Sequence, residues 1–231
     1  VSNIDLRLPA GRAIAGRVAS GATAVVGATV YIFDASGTVV GSGVTDALGD
    51  YVTSGSLPAG PGISYFAATA SPAARGVGNG LVNEAWNNVP CMLDCGVTAV
   101  GAAIPLEQAV APLPNISFDL QPGGGLRGTI SSSLGSPLAL VTVQVVDAAG
   151  RVVGKAQSDS LGHYVVDGLA PGTYFARSIN VLGLQDQLYG GAACGTACNP
   201  LNGTPIIVTG TGTTPAIDFS LSQPVAVFAN G

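Results

Sequence analysis

The four cysteines are the residues of this chain with the most reactive side chains. They form two pairs with the same spacing, Cys91 with Cys95 and Cys194 with Cys198, each on a loop of small and polar residues. Two thiols this close can hold a metal ion, act as a redox pair or form a local disulfide. Zinc knuckles and thioredoxin-like sites normally place two residues between the cysteines, whereas three intervene here. We therefore favour a disulfide in each loop, and with it an oxidising compartment.

Trp86 and Tyr189 precede the two cysteine loops by the same number of residues. Aromatic side chains on a disulfide-shaped loop can stack on sugar rings or dock on a neighbouring subunit. They can equally anchor the loop on the body of the domain, since an aromatic ring buries a large apolar area. The first use predicts a binding module for carbohydrate or protein, and the second a structural role.

The other polar residues form no recognisable catalytic or metal-binding pattern. Calcium prefers six to eight oxygen ligands, but Asp46 and Asp50 offer two carboxylates, and His163 replaces the second of them later in the chain. The glycine run 123–125 lacks the Lys-Ser/Thr and the following helix of a phosphate-binding loop. We therefore expect no metal, no cofactor and no enzymatic activity.

Short strands must carry these loops. Apolar runs rich in β-branched residues are separated every few residues by Gly, Pro and Asp, and no segment keeps a helical period. This pattern predicts an all-β fold with two tandem Ig-like or transthyretin-like β-sandwich domains of about seven strands each. Strand-like alternation is clear in two short segments, at Ile4, Leu6 and Leu8 and at Ile217, Phe219 and Leu221.

An internal repeat sets the domain organisation. Residues 34–52 and 147–165 align without a gap, and 11 of the 19 positions are identical. Residues 3–18 and 115–130 share 5 of 16 positions. We therefore predict a first module at residues 1–114, a second at 115–216 and an extra strand or tail at 217–231.

The segment at 217–221 is a third partial copy of the motif that opens each predicted module. It could begin a further repeat, pair within the second module as its last strand, or complete the sheet of a neighbouring chain, because an alternating strand is seldom left unpaired. Together with the segment at residues 4–8, it is the candidate assembly strand.

The charge of the chain excludes several classes of partner. Its net charge is −5, only 9% of its residues are charged, and Lys155 is its only lysine. Nucleic-acid binding requires a basic surface that displaces counterions from phosphates, so we expect no nucleic-acid partner. No apolar run approaches the length of a membrane-spanning helix, so we expect no membrane insertion.

The turns of the repeat follow a recognisable order: a strand, D-x-x-G, a strand, [TS]-D-x-x-G-x-Y, and L-[PA]-[PA]-G before a tyrosine-containing strand. This order resembles the carboxypeptidase regulatory-like domains of the transthyretin-like (prealbumin-like) β-sandwiches, which are related to Cna-B-type modules of bacterial surface proteins. The matching residues are Asp34, Gly37, Asp46, Gly49, Tyr51, Leu57 and Gly60, and then Asp147, Gly150, Asp159, Gly162, Tyr164, Leu169 and Gly172. The resemblance covers the middle of each module and implies a non-enzymatic accessory or stalk module of secreted or surface proteins.

The sequence thus predicts a structural segment of an extracellular surface or filament protein, whose partners are neighbouring copies or adjacent repeats of the same protein. One alternative is an adhesion module that binds polysaccharide or protein through the aromatic residues of the cysteine loops. Another is an accessory domain of a secreted peptidase.

Overall fold

A computed structural model describes residues 12–54, 57–70, 80–93, 95–106, 112–195 and 198–224. The chain forms two compact units. Unit 1 comprises Val1–Pro72, Asn83–Cys91 and Gly96–Leu120, and unit 2 comprises Ala73–Val82, Met92–Cys95 and Gln121–Gly231. The main division therefore falls after Leu120, six residues beyond the predicted boundary at 114, because residues 115–120 belong to unit 1.

Unit 1 is built from ten described strands and one short helix. The strands are β1 (Ala15–Ser20), β2 (Thr23–Ala24), β3 (Thr29–Phe33), β4 (Val39–Val44), β5 (Asp50–Val52), β6 (Ser64–Ala70), β7 (Glu84–Ala85), β8 (Val89–Pro90), β9 (Ile104–Pro105) and β10 (Phe118–Asp119), and the helix is α1 (Val97–Val100). In one sheet β1 pairs in parallel with β10 and antiparallel with β2 and β5. The other sheet has the order β4-β3-β6-β7-β8, with β9 also paired to β6.

Unit 2 contains eight described strands. They are β11 (Gly124–Ser132), β12 (Thr142–Asp147), β13 (Val152–Gln157), β14 (His163–Leu169), β15 (Gly172–Ile179), β16 (Ile206–Val208), β17 (Thr213–Thr214) and β18 (Phe219–Leu221), with a 3-10 turn at Pro200–Asn202. In one sheet β11 pairs antiparallel with β14 and in parallel with β17 and β18. The other sheet has the order β13-β12-β15-β16.

The period-two pattern of the sequence places alternate side chains between the two sheets of each unit. In β3, Val30 and Ile32 are buried and Tyr31 is exposed. In unit 2, buried residues from both sheets form one apolar cluster, which includes Leu126 and Ile130 from β11 and Val143 and Val145 from β12. The all-β fold class is thus confirmed, and the described strands number ten and eight rather than about seven per unit.

The D-x-x-G segments form the predicted hairpin turns. The Asp34 carboxylate accepts the backbone N–H groups of Ser36 and Thr38 at 2.9 and 3.0 Å, and Gly37 adopts a φ of 83°, which glycine tolerates best. The Asp147 carboxylate accepts two N–H groups with the same spacing in unit 2. Turn formation therefore accounts for these aspartates.

A buried hydroxyl joins two loops at the same point of each unit. The Thr45 hydroxyl accepts the Ala28 N–H at 2.8 Å and donates to the Val25 carbonyl at 2.6 Å. The Ser158 hydroxyl does the same in unit 2, accepting the Val141 N–H and donating to a loop carbonyl. These bonds satisfy backbone groups that burial removes from water.

The helical segments of the described chain are short. α1 has four residues and the 3-10 turn has three. None of the helices in the described ranges has the length and apolarity required to span a bilayer.

Replacing Thr45 with valine keeps the shape of the side chain and removes the hydroxyl. Two buried backbone groups then lose their partner, so we expect unit 1 to lose roughly 2–4 kcal/mol of unfolding free energy. Scanning calorimetry should show a lower transition temperature for unit 1. Thr23→Val is the control, because Thr23 is exposed. Equal transition temperatures for the two variants would contradict the assigned role of the Thr45 hydroxyl.

Candidate functional site

All four cysteines are disulfide-bonded. Cys194 and Cys198 pair with each other, with their Cα atoms 5.2 Å apart. The first cysteine of each loop is held in the same way: the Cys91 N–H donates to the Asn83 carbonyl at 2.6 Å, and the Cys194 N–H donates to the Asp186 carbonyl at 2.7 Å. The described residues hold no cluster of three or more His, Cys, Asp or Glu that could bind a metal ion.

Trp86 and Tyr189 occupy equivalent places, as their spacing to the cysteines indicated. The Trp86 N–H donates to the Ala67 carbonyl, and the Tyr189 N–H donates to the Ala176 carbonyl, each at 2.8 Å. Both side chains are half-buried. The Tyr189 ring lies edge-on to the Phe219 ring, with the centroids 6.4 Å apart, and packs against the core of unit 2. This arrangement suits an aromatic anchor that holds its loop on the sheet.

The predicted assembly segment at the end of unit 2 lies within that unit. β18 pairs in parallel with β11, and Ile217, Phe219 and Leu221 are 3%, 2% and 0% exposed in the apolar cluster. Of the three alternatives that the sequence left open, the structure adopts the last strand of the second module. The other predicted assembly residues, Ile4, Leu6 and Leu8, lie outside the described residues.

We call β10 and β18 the closing strands, because each is the last described strand of its unit and pairs in parallel with the first described one. Their registers agree: Val18 is opposite Phe118, and Ile130 is opposite Phe219. Residues 115–120, predicted to start the second module, therefore end unit 1. Only four residues separate β10 from β11. In sequence, β10 therefore resembles the opening strand of the second module.

The same three residue types, a glycine, a tyrosine and an isoleucine, hold each closing strand in place. We call this contact the closing-strand lock. In unit 1 it comprises Gly16 of β1, Tyr51 of β5 and Ile116, which precedes β10. Gly16 and Tyr51 are opposite each other in the sheet, and the Tyr51 hydroxyl donates to the Ile116 carbonyl at 2.6 Å. A methyl group at Gly16 would overlap that carbonyl oxygen. The glycine therefore leaves room for the closing strand, and the tyrosine hydroxyl holds that strand by a hydrogen bond.

In unit 2 the lock consists of Gly128, Tyr164 and Ile217. Gly128 and Tyr164 are opposite each other, the Tyr164 hydroxyl donates to the Ile217 carbonyl, and a methyl group at Gly128 would overlap this carbonyl oxygen. Burial raises the pKa of both tyrosines above the usual range, so their hydroxyls remain protonated donors at physiological pH. Gly16 and Gly128 occupy the same position in the aligned segments 3–18 and 115–130. This recurrence is the sequence signal of the lock, and by itself it does not show which carbonyl approaches the glycine.

No protein-family model and no curated protein matches the chain. Solved structures do match over most of its length. They include the minor pilin GBS52 of Streptococcus agalactiae, at 12% identity and a TM-score of 0.34, with 96% of this chain and 100% of that chain covered. They also include a streptococcal ancillary pilin, at 15% identity and a TM-score of 0.35, with 93% and 63% covered. The Bacillus anthracis TIE protein aligns at 14% identity and a TM-score of 0.35, with 92% and 34% covered.

The chain spans about a third of the Bacillus anthracis protein and about two thirds of the ancillary pilin. Identities and TM-scores this low carry no argument about what the chain does. Its function must therefore be argued from its own contacts.

Tyr51→Phe tests the closing-strand lock without changing the size of the ring. Loss of one hydrogen bond to a buried carbonyl should cost unit 1 about 1–3 kcal/mol. Urea denaturation followed by Trp86 fluorescence measures this change, because Trp86 is the only tryptophan of the chain and lies in unit 1. Tyr31→Phe, on an exposed tyrosine, is the matched control. Variants of equal stability would show that the Tyr51 hydroxyl does not hold the closing strand.

Proposed function

We propose that the chain is a non-enzymatic structural segment of an extracellular surface or filament protein, in which each unit is a spacer that resists extension. The observation that carries this proposal is the parallel pairing of the first and last strands, in the same register, in both units. The disulfides in the two loops support an extracellular location, since disulfides persist in oxidising compartments.

The direction of the paired strands determines how a unit responds to tension. The start of β1 and the end of β10 lie at opposite ends of a parallel pair. Tension on the two ends therefore slides one strand along the other. Their hydrogen bonds then share the tension and break together, whereas pulling a hairpin apart from one end breaks its bonds one at a time.

Backbone hydrogen bonds join the first strand to the closing segment along its length. In unit 1, Ala15 donates to the Leu113 carbonyl at 2.8 Å, Ile116 donates to the Ala15 carbonyl at 3.1 Å, and Leu120 donates to the Ala19 carbonyl at 2.7 Å. In unit 2, Gly125 donates to the Gly212 carbonyl at 3.0 Å, Ile217 donates to the Arg127 carbonyl at 3.1 Å, and Ser133 donates to the Leu221 carbonyl at 2.8 Å. We infer that both units are modules of one repeat, each closed by its own last strand.

Stretching single molecules by their ends tests this proposal. We expect two unfolding steps, each lengthening the chain by about 35 nm, since roughly 100 residues become extended. Gly128→Ala should lower the force of one step only, because the methyl group displaces the closing strand of unit 2. Gly195→Ala is the control, since a methyl group there meets no atom within 4 Å. Equal unfolding forces for Gly128→Ala and Gly195→Ala would contradict the proposal that the closing strand bears the tension.

The segment at residues 3–8 matches the closing segment at 115–120 in pattern. Both first strands of the described chain, β1 and β11, already pair with a closing strand of their own unit. We therefore propose that residues 3–8, with Ile4, Leu6 and Leu8, close a further module of the same kind. The partner of this segment would then be an adjacent repeat.

Deletion of residues 1–8 tests that assignment. If the segment completes a further module, we expect both calorimetric transitions to keep their temperatures. A fall of several degrees in either transition would place the segment in the fold of units 1 and 2 instead.

A further inference from the structure

Glu84 in unit 1 and Gln187 in unit 2 occupy equivalent places. The Glu84 N–H donates to the Thr69 hydroxyl, and the Gln187 N–H donates to the Ser178 hydroxyl, both at 2.9 Å. Each residue lies two positions before the aromatic residue of its cysteine loop. One unit thus has a carboxyl group where the other has an amide of the same shape.

Each of these side chains lies near the closing strand. In unit 2, the Gln187 Oε1 atom accepts the N–H of Ser220 in β18 at 3.2 Å. The residue equivalent to Ser220 in unit 1 is Asp119 of β10, which acts electrostatically on Glu84. Asp119 itself accepts the Gly21 N–H at 2.7 Å. The Glu84 carboxyl group therefore lies near a second carboxylate.

Among the described residues, no cation is found beside Glu84 that would compensate a negative charge. Its side chain is 3% exposed, and its Oε2 atom has no hydrogen-bond partner among the described residues. The flanking strands β6 and β8 and helix α1 contain no Asp, Glu, Lys, Arg or His. Arg17 of β1 is exposed and lies opposite Asp50 in the sheet. Within the described part of the chain, an ionised Glu84 would be a buried charge without a cation, which costs several kcal/mol.

We infer that Glu84 is a proton-binding site that makes unit 1 sensitive to pH. In its neutral form Glu84 has the shape of Gln187 and supports the closing strand β10. Ionisation places a second negative charge beside Asp119 and weakens unit 1, while unit 2 is unaffected because it has Gln187 and Ser220 at these places. This inference does not depend on the proposed mechanical function.

The direction of the effect follows from the proton affinity of the folded state. Burial and, secondarily, Asp119 raise the pKa of Glu84 from 4.5 to about 7. The folded unit thus binds the proton more tightly than the unfolded chain does. The resulting stabilisation is fully present below about pH 4.5 and is lost as the pH rises through about 7.

Urea denaturation of the full chain at pH 5 and pH 8.5 measures this coupling. Fluorescence of Trp86 reports on unit 1, because Trp86 lies two residues from Glu84. We expect the unfolding equilibrium constant of unit 1 to rise by about two orders of magnitude between these pH values, and Glu84→Gln to remove the rise. A rise of less than threefold in the unmodified protein, or the same rise in the variant, would overturn the inference.

Two further measurements remain decisive if Glu84→Gln fails to fold. NMR titration of the Glu84 carboxyl carbon in the unmodified protein should give a pKa above 6, and a value of 5 or below would overturn the inference. The double variant Gln187→Glu/Ser220→Asp should transfer the pH dependence to unit 2, followed by the NMR signals of the Leu169 and Leu221 methyl groups. If the urea midpoint of unit 2 in this variant is the same at pH 5 and pH 8.5, the two carboxyl groups do not confer the pH dependence, and the inference is overturned.

Discussion

The structure depends on one backbone carbonyl in each unit, that of Ile116 in unit 1 and of Ile217 in unit 2. A glycine in the first strand lets this carbonyl approach, and a buried tyrosine hydroxyl binds it. The contact fixes the register of the closing strand and therefore decides which unit that strand completes. A buried carbonyl without its partner costs about 1–3 kcal/mol, which exceeds the net contribution of a typical hydrogen bond, so the glycine that lets the carbonyl approach requires the tyrosine that binds it.

Charged residues are few in this chain. Two charged pairs of the described residues, Asp147 with Arg151 and Asp159 with His163, each lie within a single turn and join no distant segments. Burial of apolar side chains and hydrogen bonds between side chains and the backbone stabilise the units instead, as at Thr45, Tyr51 and Tyr164. Glu84 is the one buried carboxyl side chain in the described ranges, and none of the cations described there pairs with it. The difference between Glu84 and Gln187 thus gives two otherwise similar units different responses to pH.

Much of the fold could be predicted because its signals are local. Alternation gives the strands, and an aspartate followed by a glycine three residues later gives the hairpin turns. The closing strands could not be assigned, since alternation identifies a strand but not its partner, and Arg17 meets Ser117 across 100 residues of sequence. The sequence of a strand at a module boundary fits the last strand of one module and the first strand of the next equally well. Glu84 was missed for a related reason: its neighbours in space, Thr69 and Asp119, are distant in sequence.

Amide hydrogen exchange on the full chain tests the central claim, that each unit is held closed by its last strand. We predict that the amides of Ile116 and Leu120 in unit 1, and of Ile217 and Ser133 in unit 2, exchange as slowly as the core strands β3 and β12. They would then be released only when the whole unit unfolds. Exchange at these amides well ahead of the core strands would show that the closing strands detach alone, and would contradict the account.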